Sequence, residues 1–225
     1  MLELRPLDYQ SIAVRILLAI FLGGIIGMER GMKNRAAGLR TYILVCLGSC
    51  VVMMTNQYVY QVYQVGDPVR MGAQVVNGIG FLGAGTIIVT KRNQIKGLTT
   101  AAGLWASACI GLSLGVGLYE IAIPGSVGIF LILTLMHELD FWMRQRSKQL
   151  DVYIELKEGT SIRNFLEYVR ELGFEASNLL LQTDYVEARG VSAFNVTLKT
   201  RERRSHDEIM CLLRVMEGLS YAEEL

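Results

Sequence analysis

The sequence predicts an α-helical polytopic membrane domain of five transmembrane helices, followed by a small cytoplasmic α+β domain of ferredoxin-like, βαββαβ order. Three observations carry this prediction. The 225-residue chain is 52% hydrophobic with a mean hydropathy of +0.34, more apolar than an ordinary soluble domain. The excess is uneven: 19 of the 23 glycines fall in residues 1–140, whereas 14 of the 21 acidic residues come later. Apolar runs close to the ~20 residues needed to cross a bilayer recur in the first part, and short alternating strands with amphipathic helices follow from about Gln149. The expected layout is a membrane domain over 1–140, a basic linker over 141–148 and a cytoplasmic domain over 149–225.

The spans are expected at Ser11 to Met28, Tyr42 to about Tyr60, Met71 to Thr90, Thr99 to Leu118 and Ile121 to Met136. No small-residue cleavage site follows the first run, so it reads as a retained span. The third, MGAQVVNGIGFLGAGTIIVT, carries no charge and five glycines. Lipid forces every backbone polar group to be satisfied inside the segment, so repeated glycine there means close helix packing or a broken helix. The fifth carries Pro124 near its start, where a first-turn proline is tolerated. Ten basic residues (Arg30, Lys33, Arg35, Arg40, Lys91, Arg92, Lys96, Arg144, Arg146 and Lys148) lie on one set of alternate connections, against Arg5 and Arg70 on the other. That asymmetry predicts an outside N-terminus and a cytoplasmic C-terminal domain.

In the second part DVYIELK reads as a strand, SIRNFLEYVRELG as an amphipathic helix, and ASNLLLQTDYV and VSAFNVTLKT as two strands. SHDEIMCLLRVMEG then gives a helix, with Ser205 and Glu208 in capping-box spacing, and LSYAEEL a last strand. Cys46, Cys50 and Cys109 lie inside apolar runs and read as small buried hydrophobes, while Cys211 has no near partner. A net charge of +1 points to no nucleic acid or other polyanion.

Gly78-Ile79-Gly80-Phe81-Leu82-Gly83 matches the dinucleotide pattern G-x-G-x-x-G. Its context refuses that reading, since no acidic residue lies between Asp67 and Glu120. Small residues also recur in steps of four: Gly23, Gly27 and Gly31 on the first helix, and Thr99, Gly103, Ser107, Gly111 and Gly115 on the fourth. Such stripes let another backbone approach closely. Asp67, Arg70, Gln74 and Asn77 share one side of the third helix, with Asp67-Pro68 as its expected cap and first residue. Gln74 and Asn77 lie deeper and need either interhelical hydrogen bonds or a wet cavity. Arg15, near the end of the first helix, is expected to snorkel to the interface. Glu29-Arg30 ends that helix, and Glu29 with Arg40 could pin the first two helices together.

Mg²⁺ takes oxygen ligands, yet no Asp or Glu lies well inside a predicted span; Glu29 and Asp67, both at helix ends, are the candidate ligands. Carbonyls of unwound glycine-rich helices offer another route for a cation. His137-Glu138 begins an H-E-x-x-H pattern that Phe141 breaks. No nucleophile, base and orienter stand together, so an enzyme is not expected.

The blocks GMERG (27–31), AGLRTYILVCLGS (37–49), DPVRMGAQVVNGIGFLGAGTII (67–88) and KGLTTAAGLWASACIGLSLGVGLY (96–119) resemble the MgtC/SapB membrane proteins in order and spacing. Carried onto matching positions, the resemblance implies as site candidates Glu29, Arg30, Arg40, Asp67, Arg70, Gln74, Asn77, Gly80, Gly83, Gly85, Thr99, Thr100 and Trp105. It implies a bacterial inner-membrane protein linked to magnesium limitation, with Mg²⁺ as the one cofactor in view, and in some pathogens to survival inside macrophages. Larger members carry an ACT-like cytoplasmic domain, of the order read here. Some members are described as inhibitors of the F-type ATP synthase acting through its membrane sector, and the family is often labelled a Mg²⁺ transporter. An autonomous ATPase does not fit, because the chain has no G-x-x-x-x-G-K-[ST] loop.

Two functions are therefore expected in order: a regulator whose helices bind a membrane partner such as the ATP synthase, then a Mg²⁺ carrier using Asp67, Gln74 and Asn77. Ferredoxin-like sheets leave edges to cover, which predicts a homodimer. ACT-like domains also hold small ligands near the first strand–helix turn, here Glu158-Gly159-Thr160, although backbone geometry explains a glycine there equally well.

Overall fold

The computed structural model describes residues 5–64, 66–90, 94–145, 147–181, 192–200 and 204–225. The chain divides into two compact units, Met1–Val89 with Ile95–His137, and Thr90–Gln94 with Glu138–Leu225.

The first unit is helical. Helix α1 (Tyr9–Met32) opens where Asp8 accepts from the Ser11 amide at 3.1 Å, satisfying one of the donors that every helix start leaves free. Helix α2 (Leu39–Tyr63) closes on Gln64 in the left-handed conformation. Helix α3 (Arg70–Ala84) is followed by strands β1 (Ile88–Val89) and β2 (Ile95–Lys96), a two-residue antiparallel pairing. Helix α4 (Leu98–Gly115) and helix α5 (Tyr119–Gln145) complete the unit, α5 continuing beyond it with Pro124 in its second turn.

Among the described residues four helices are long and apolar enough to cross a membrane: Tyr9–Met32, Leu39–Tyr63, Leu98–Gly115 and Tyr119–Met136. The segment expected as a third continuous span over Met71 to Thr90 is instead a 15-residue helix ending at Ala84. Its end has a local cause. The Thr86 hydroxyl donates to the Gly83 carbonyl at 2.8 Å, and the β-branched run Ile87-Ile88-Val89-Thr90 favours an extended backbone. Asp67 does bond the chain at the helix entrance, accepting from the Val69 amide at 2.9 Å. Pro68, however, lies in the preceding turn rather than at the first helical position.

Glycine sets how closely these helices meet. A Cβ on Gly27 would lie 2.8 Å from both the Leu39 Cα and the Tyr42 Cβ, so α1 crosses α2 there nearly backbone to backbone. Gly111 and Gly115 do the same for α4 against α2, while Gly103 makes room for the Tyr42 side chain. Between them Ala19, Ile26, Tyr42, Cys46, Leu104 and Leu114 form the core, and Cys46 and Cys50 are buried free thiols, as their apolar setting predicts. Facing outward is an apolar surface that includes Leu17, Phe21, Leu44, Val51, Ile121 and Ile132. So many large apolar side chains left outside suit lipid rather than water.

The second unit holds strand β3 (Gln149–Leu156), helix α6 (Ile162–Glu171), strands β4 (Phe174–Leu181) and β5 (Ala193–Thr200), helix α7 (His206–Arg214) and strand β6 (Leu219–Glu224). The four strands form one antiparallel sheet in the order β4-β5-β3-β6. The expected strand over 176–186 begins earlier and is described to Leu181; residues 182–186 lie outside the described residues. Alternation places Leu150, Val152, Ile154 and Leu156 of β3 in one core with Phe194, Phe165 and Leu213. The capping box is present: the Ser205 hydroxyl accepts from the Glu208 amide at 3.2 Å, and the Glu208 carboxylate accepts from the Ser205 amide at 3.2 Å. Replacing Ser205 by alanine is expected to cost about 1 kcal/mol, read as faster amide hydrogen exchange confined to α7 and the elements packed on it. Unchanged exchange would show that the cap does not hold the helix.

Candidate functional site

Two polar clusters close the helical unit at its opposite ends. At the end where α1 begins, Arg15 is fully buried rather than snorkelled, a correction to the sequence expectation. Its Nη1 donates to Gln57 Oε1 at 2.8 Å and to the Gly115 carbonyl at 2.6 Å, and its Nη2 to the Arg5 carbonyl at 3.2 Å. The Gly115 carbonyl is one of the acceptors left over at the C-terminus of α4, where the helix dipole is negative. Arg15 therefore caps α4 from α1, supplying both donor and charge. Gln57 of α2 extends the cluster by donating from Nε2 to the Arg5 carbonyl at 2.8 Å. Arg5 in turn pairs with Glu120 and stacks 4.6 Å over the Tyr119 ring at the start of α5.

At the end where α1 finishes, Arg30 is 3% exposed, between the first turns of α2 and α4. Its Nη2 donates to Thr100 Oγ1 at 3.4 Å, and its Nη1 lies 3.9 Å from Glu29. Lys33 stands 2.8 Å from Glu29 Oε1, in the position that a cation bound by that oxygen would take. Tyr42, fully buried, sits against Gly103, where a Cβ would come within 2.3 Å of its hydroxyl. The structure thus joins Arg30 and Thr100, two of the sequence candidates. It pairs Glu29 with Lys33 and Arg30, whereas Arg40 is exposed. Trp105 is exposed as well, and so is Thr99, which the four-step spacing places at the head of the packed stripe of α4.

Helix α3 holds the third group. Its packed side carries Gly72, beside Met53 and Leu112, and Gly83, beside Ala101. Helix α3 therefore runs antiparallel to α4, with Asn77 midway along their contact. Arg70, Gln74, Asn77 and Phe81 form the opposite side and are all exposed, Phe81 at 89%. Gly80 is exposed too and has no atom within 4 Å of a Cβ; Gly85 is exposed at the helix end. Of the Asp67, Arg70, Gln74 and Asn77 row, only Asp67 makes a side-chain hydrogen bond recorded among the described residues.

Sequence reasoning passed over Asn56 and Gln57. Asn56 holds the start of α3: its Oδ1 accepts from the Met71 amide at 3.3 Å and its Nδ2 donates to the Pro68 carbonyl. The available signal was two adjacent amides two turns before the end of an otherwise apolar helix. For Arg15 the signal was its place four and eight residues before Ala19 and Gly23, on the stripe that packs. In the second unit Gly159 has φ +87°, which accounts for a glycine in that turn. Among the described residues no group of three or more His, Cys, Asp or Glu side chains could hold a metal ion.

The MgtC family model matches residues 16–142. The chain is similar to the "Putative magnesium transporter YhiD" of Escherichia coli (strain K12), with 37% identity over 211 residues, 92% of this chain and 94% of that one. Similarity extends to protein SapB of Bacillus subtilis (strain 168), 26% identical over 220 residues and covering 93% of each chain. It includes protein MgtC of Salmonella typhi, 39% identical over 157 residues, 70% of this chain and 64% of that one. No solved structure matches the chain.

Proposed function

From the premise that this chain belongs to the MgtC family, we propose a multi-pass inner-membrane protein of magnesium homeostasis and adaptation to low Mg²⁺. It acts as a non-enzymatic regulator through helix contacts with a membrane partner. One observation carries this reading: Gln74 and Asn77 are exposed on α3 at the depth of its contact with α4, a helix apolar enough to span a membrane. An amide facing hydrocarbon at that depth costs free energy until another polar group meets it. In this reading α3, at 15 residues shorter than a full span, completes a fifth crossing only with the residues that follow it, and the basic bias of the connections supports an outside N-terminus with the sheet domain in the cytoplasm. The strand order β4-β5-β3-β6 supports a ferredoxin-like, ACT-like assignment for that domain.

Replacing Gln74 and Asn77 together by leucine tests the regulator. The variant is expected to accumulate in the membrane with an unchanged melting temperature, yet to lose support of growth at limiting Mg²⁺. Growth equal to the parent overturns the proposal. The F-type ATP synthase is the partner to examine first, by co-purification and by its ATPase activity with and without this protein.

The name of the Escherichia coli relative favours a second reading, Mg²⁺ transport. Here Asp67, Gln74 and Asn77 would line the path. Proteoliposome flux that falls in the Asp67→Ala, Asn77→Ala double variant would support it, and absence of flux in the parent would remove it.

A further inference from the structure

We infer that the exposed face of α3 is a homodimer interface, occupied by the same face of a second copy of this chain. The inference rests on the preceding reading only in that this face meets a polar partner; it makes that partner a second copy in place of a different membrane protein. Chemical self-complementarity is the argument. Both copies enter the membrane in the same direction, so in a two-fold pair their α3 helices run parallel and each residue meets its own equivalent or a neighbour at the same level. Gln74 and Asn77 suit this, because an amide both donates and accepts and so pairs with another amide.

The charges one turn earlier fit the same symmetry. Asp67 and Arg70 are both exposed, and no ion pair involving either is recorded among the described residues. Across a two-fold axis each Asp67 carboxylate can meet the second copy's Arg70, so that one contact is made twice with nothing left over. Phe81, 89% exposed, continues the face by one further turn. With spacings of four, three and four from Arg70, Gln74, Asn77 and Phe81 keep to one stripe, and Gly78 beside it has open space around its missing Cβ. Lipid tails offer none of these polar groups a partner.

Charge reversal tests the pairing in the full-length chain reconstituted in nanodiscs. Cys211→Ser removes the exposed native thiol, Phe81→Cys supplies a probe, and a bismaleimide reports the distance between copies. The parent with these two changes is expected to give a cross-linked dimer, and the same chain without Phe81→Cys none. Asp67→Arg alone and Arg70→Asp alone should each lose the product, and the double reversal should regain it. That recovery excludes a purely structural role for Asp67 at the entrance of α3, which Arg70→Asp would not restore. A parent that stays monomeric, or a double reversal that stays uncoupled, overturns the inference. If the Gln74, Asn77 leucine variant then still loses growth, and the same Phe81→Cys chain cross-linked in native membranes couples to a different membrane protein, the regulator reading survives without the dimer. A leucine variant without effect removes both.

Discussion

Arg15→Leu is expected to prevent the chain from accumulating as a folded membrane protein. Leucine fills much of the space that the side chain occupies, so the loss is one of polar bonds rather than of volume. It leaves the Gly115 carbonyl and the Gln57 side-chain oxygen without the donors now at 2.6 and 2.8 Å, and the Arg5 carbonyl with the Gln57 Nε2 donor alone. A buried group deprived of its partner costs about 1–3 kcal/mol. Several at once in one buried cluster are a large fraction of the 5–15 kcal/mol that holds a typical domain together. Arg15→Lys should be intermediate, because one ammonium keeps the charge near the end of α4 but cannot reach as many acceptors as a planar guanidinium. Arg40→Gln, at an exposed position, is the matched control and should melt within about 0.5 kcal/mol of the parent. The yield of folded protein in the membrane, and thermal unfolding in detergent of what is recovered, check all three. An Arg15→Leu protein that melts with the parent would show that the cluster contributes nothing to assembly.

The contrast between these two arginines shows what could be read from the sequence. Arg40 stands out because it belongs to a conspicuous basic stretch after Glu29, yet it is exposed. Arg15 looked like a snorkelling residue because it lies near a helix end. What decides its fate is its face rather than its depth, since it shares a side with Ala19, Gly23 and Gly27, all of them buried. Features that reside within one element were legible: the apolar runs, the alternation of β3, and the capping box of Ser205 with Glu208. The interruption of the third span was half visible, since glycine and the β-branched run announced a weak helix but not where it would stop. The partners of the amides at 56 and 57 were not legible, because each works on a different element, Asn56 on α3 and Gln57 on the segment before α1. Contacts of that kind depend on which helices become neighbours, and no local spacing encodes that.

Glycine gives the sharpest case of positions alike in sequence and unlike in structure, and it yields the second large effect. Gly111→Ala is expected to destabilise the chain strongly, and Gly111→Val to abolish the fold. A Cβ at Gly111 would lie 2.1 Å from the Cys46 carbonyl oxygen and 2.9 Å from the Ser49 Cβ. The first of these is backbone in the middle of α2, so relief requires moving one helix from the other. That separation would also disturb the Gly115 contact, where a Cβ would lie 2.7 Å from the Cys50 carbonyl. Overpacking of this kind costs about 1–3 kcal/mol for a modest intrusion, and valine adds two further methyl groups to a space with no room for one. Gly48 of α2 and Gly128 of α5 have nothing within 4 Å of a Cβ. Alanine at either should be neutral or add up to about 1 kcal/mol, since glycine is the poorer helix former. Detergent unfolding of the three alanine variants separates the cases. If Gly111→Ala were tolerated as well as Gly48→Ala, α2 and α4 would not be in backbone contact at that level, and the close approach that positions Arg30 against Thr100 and Arg15 against Gly115 would have to be abandoned with it.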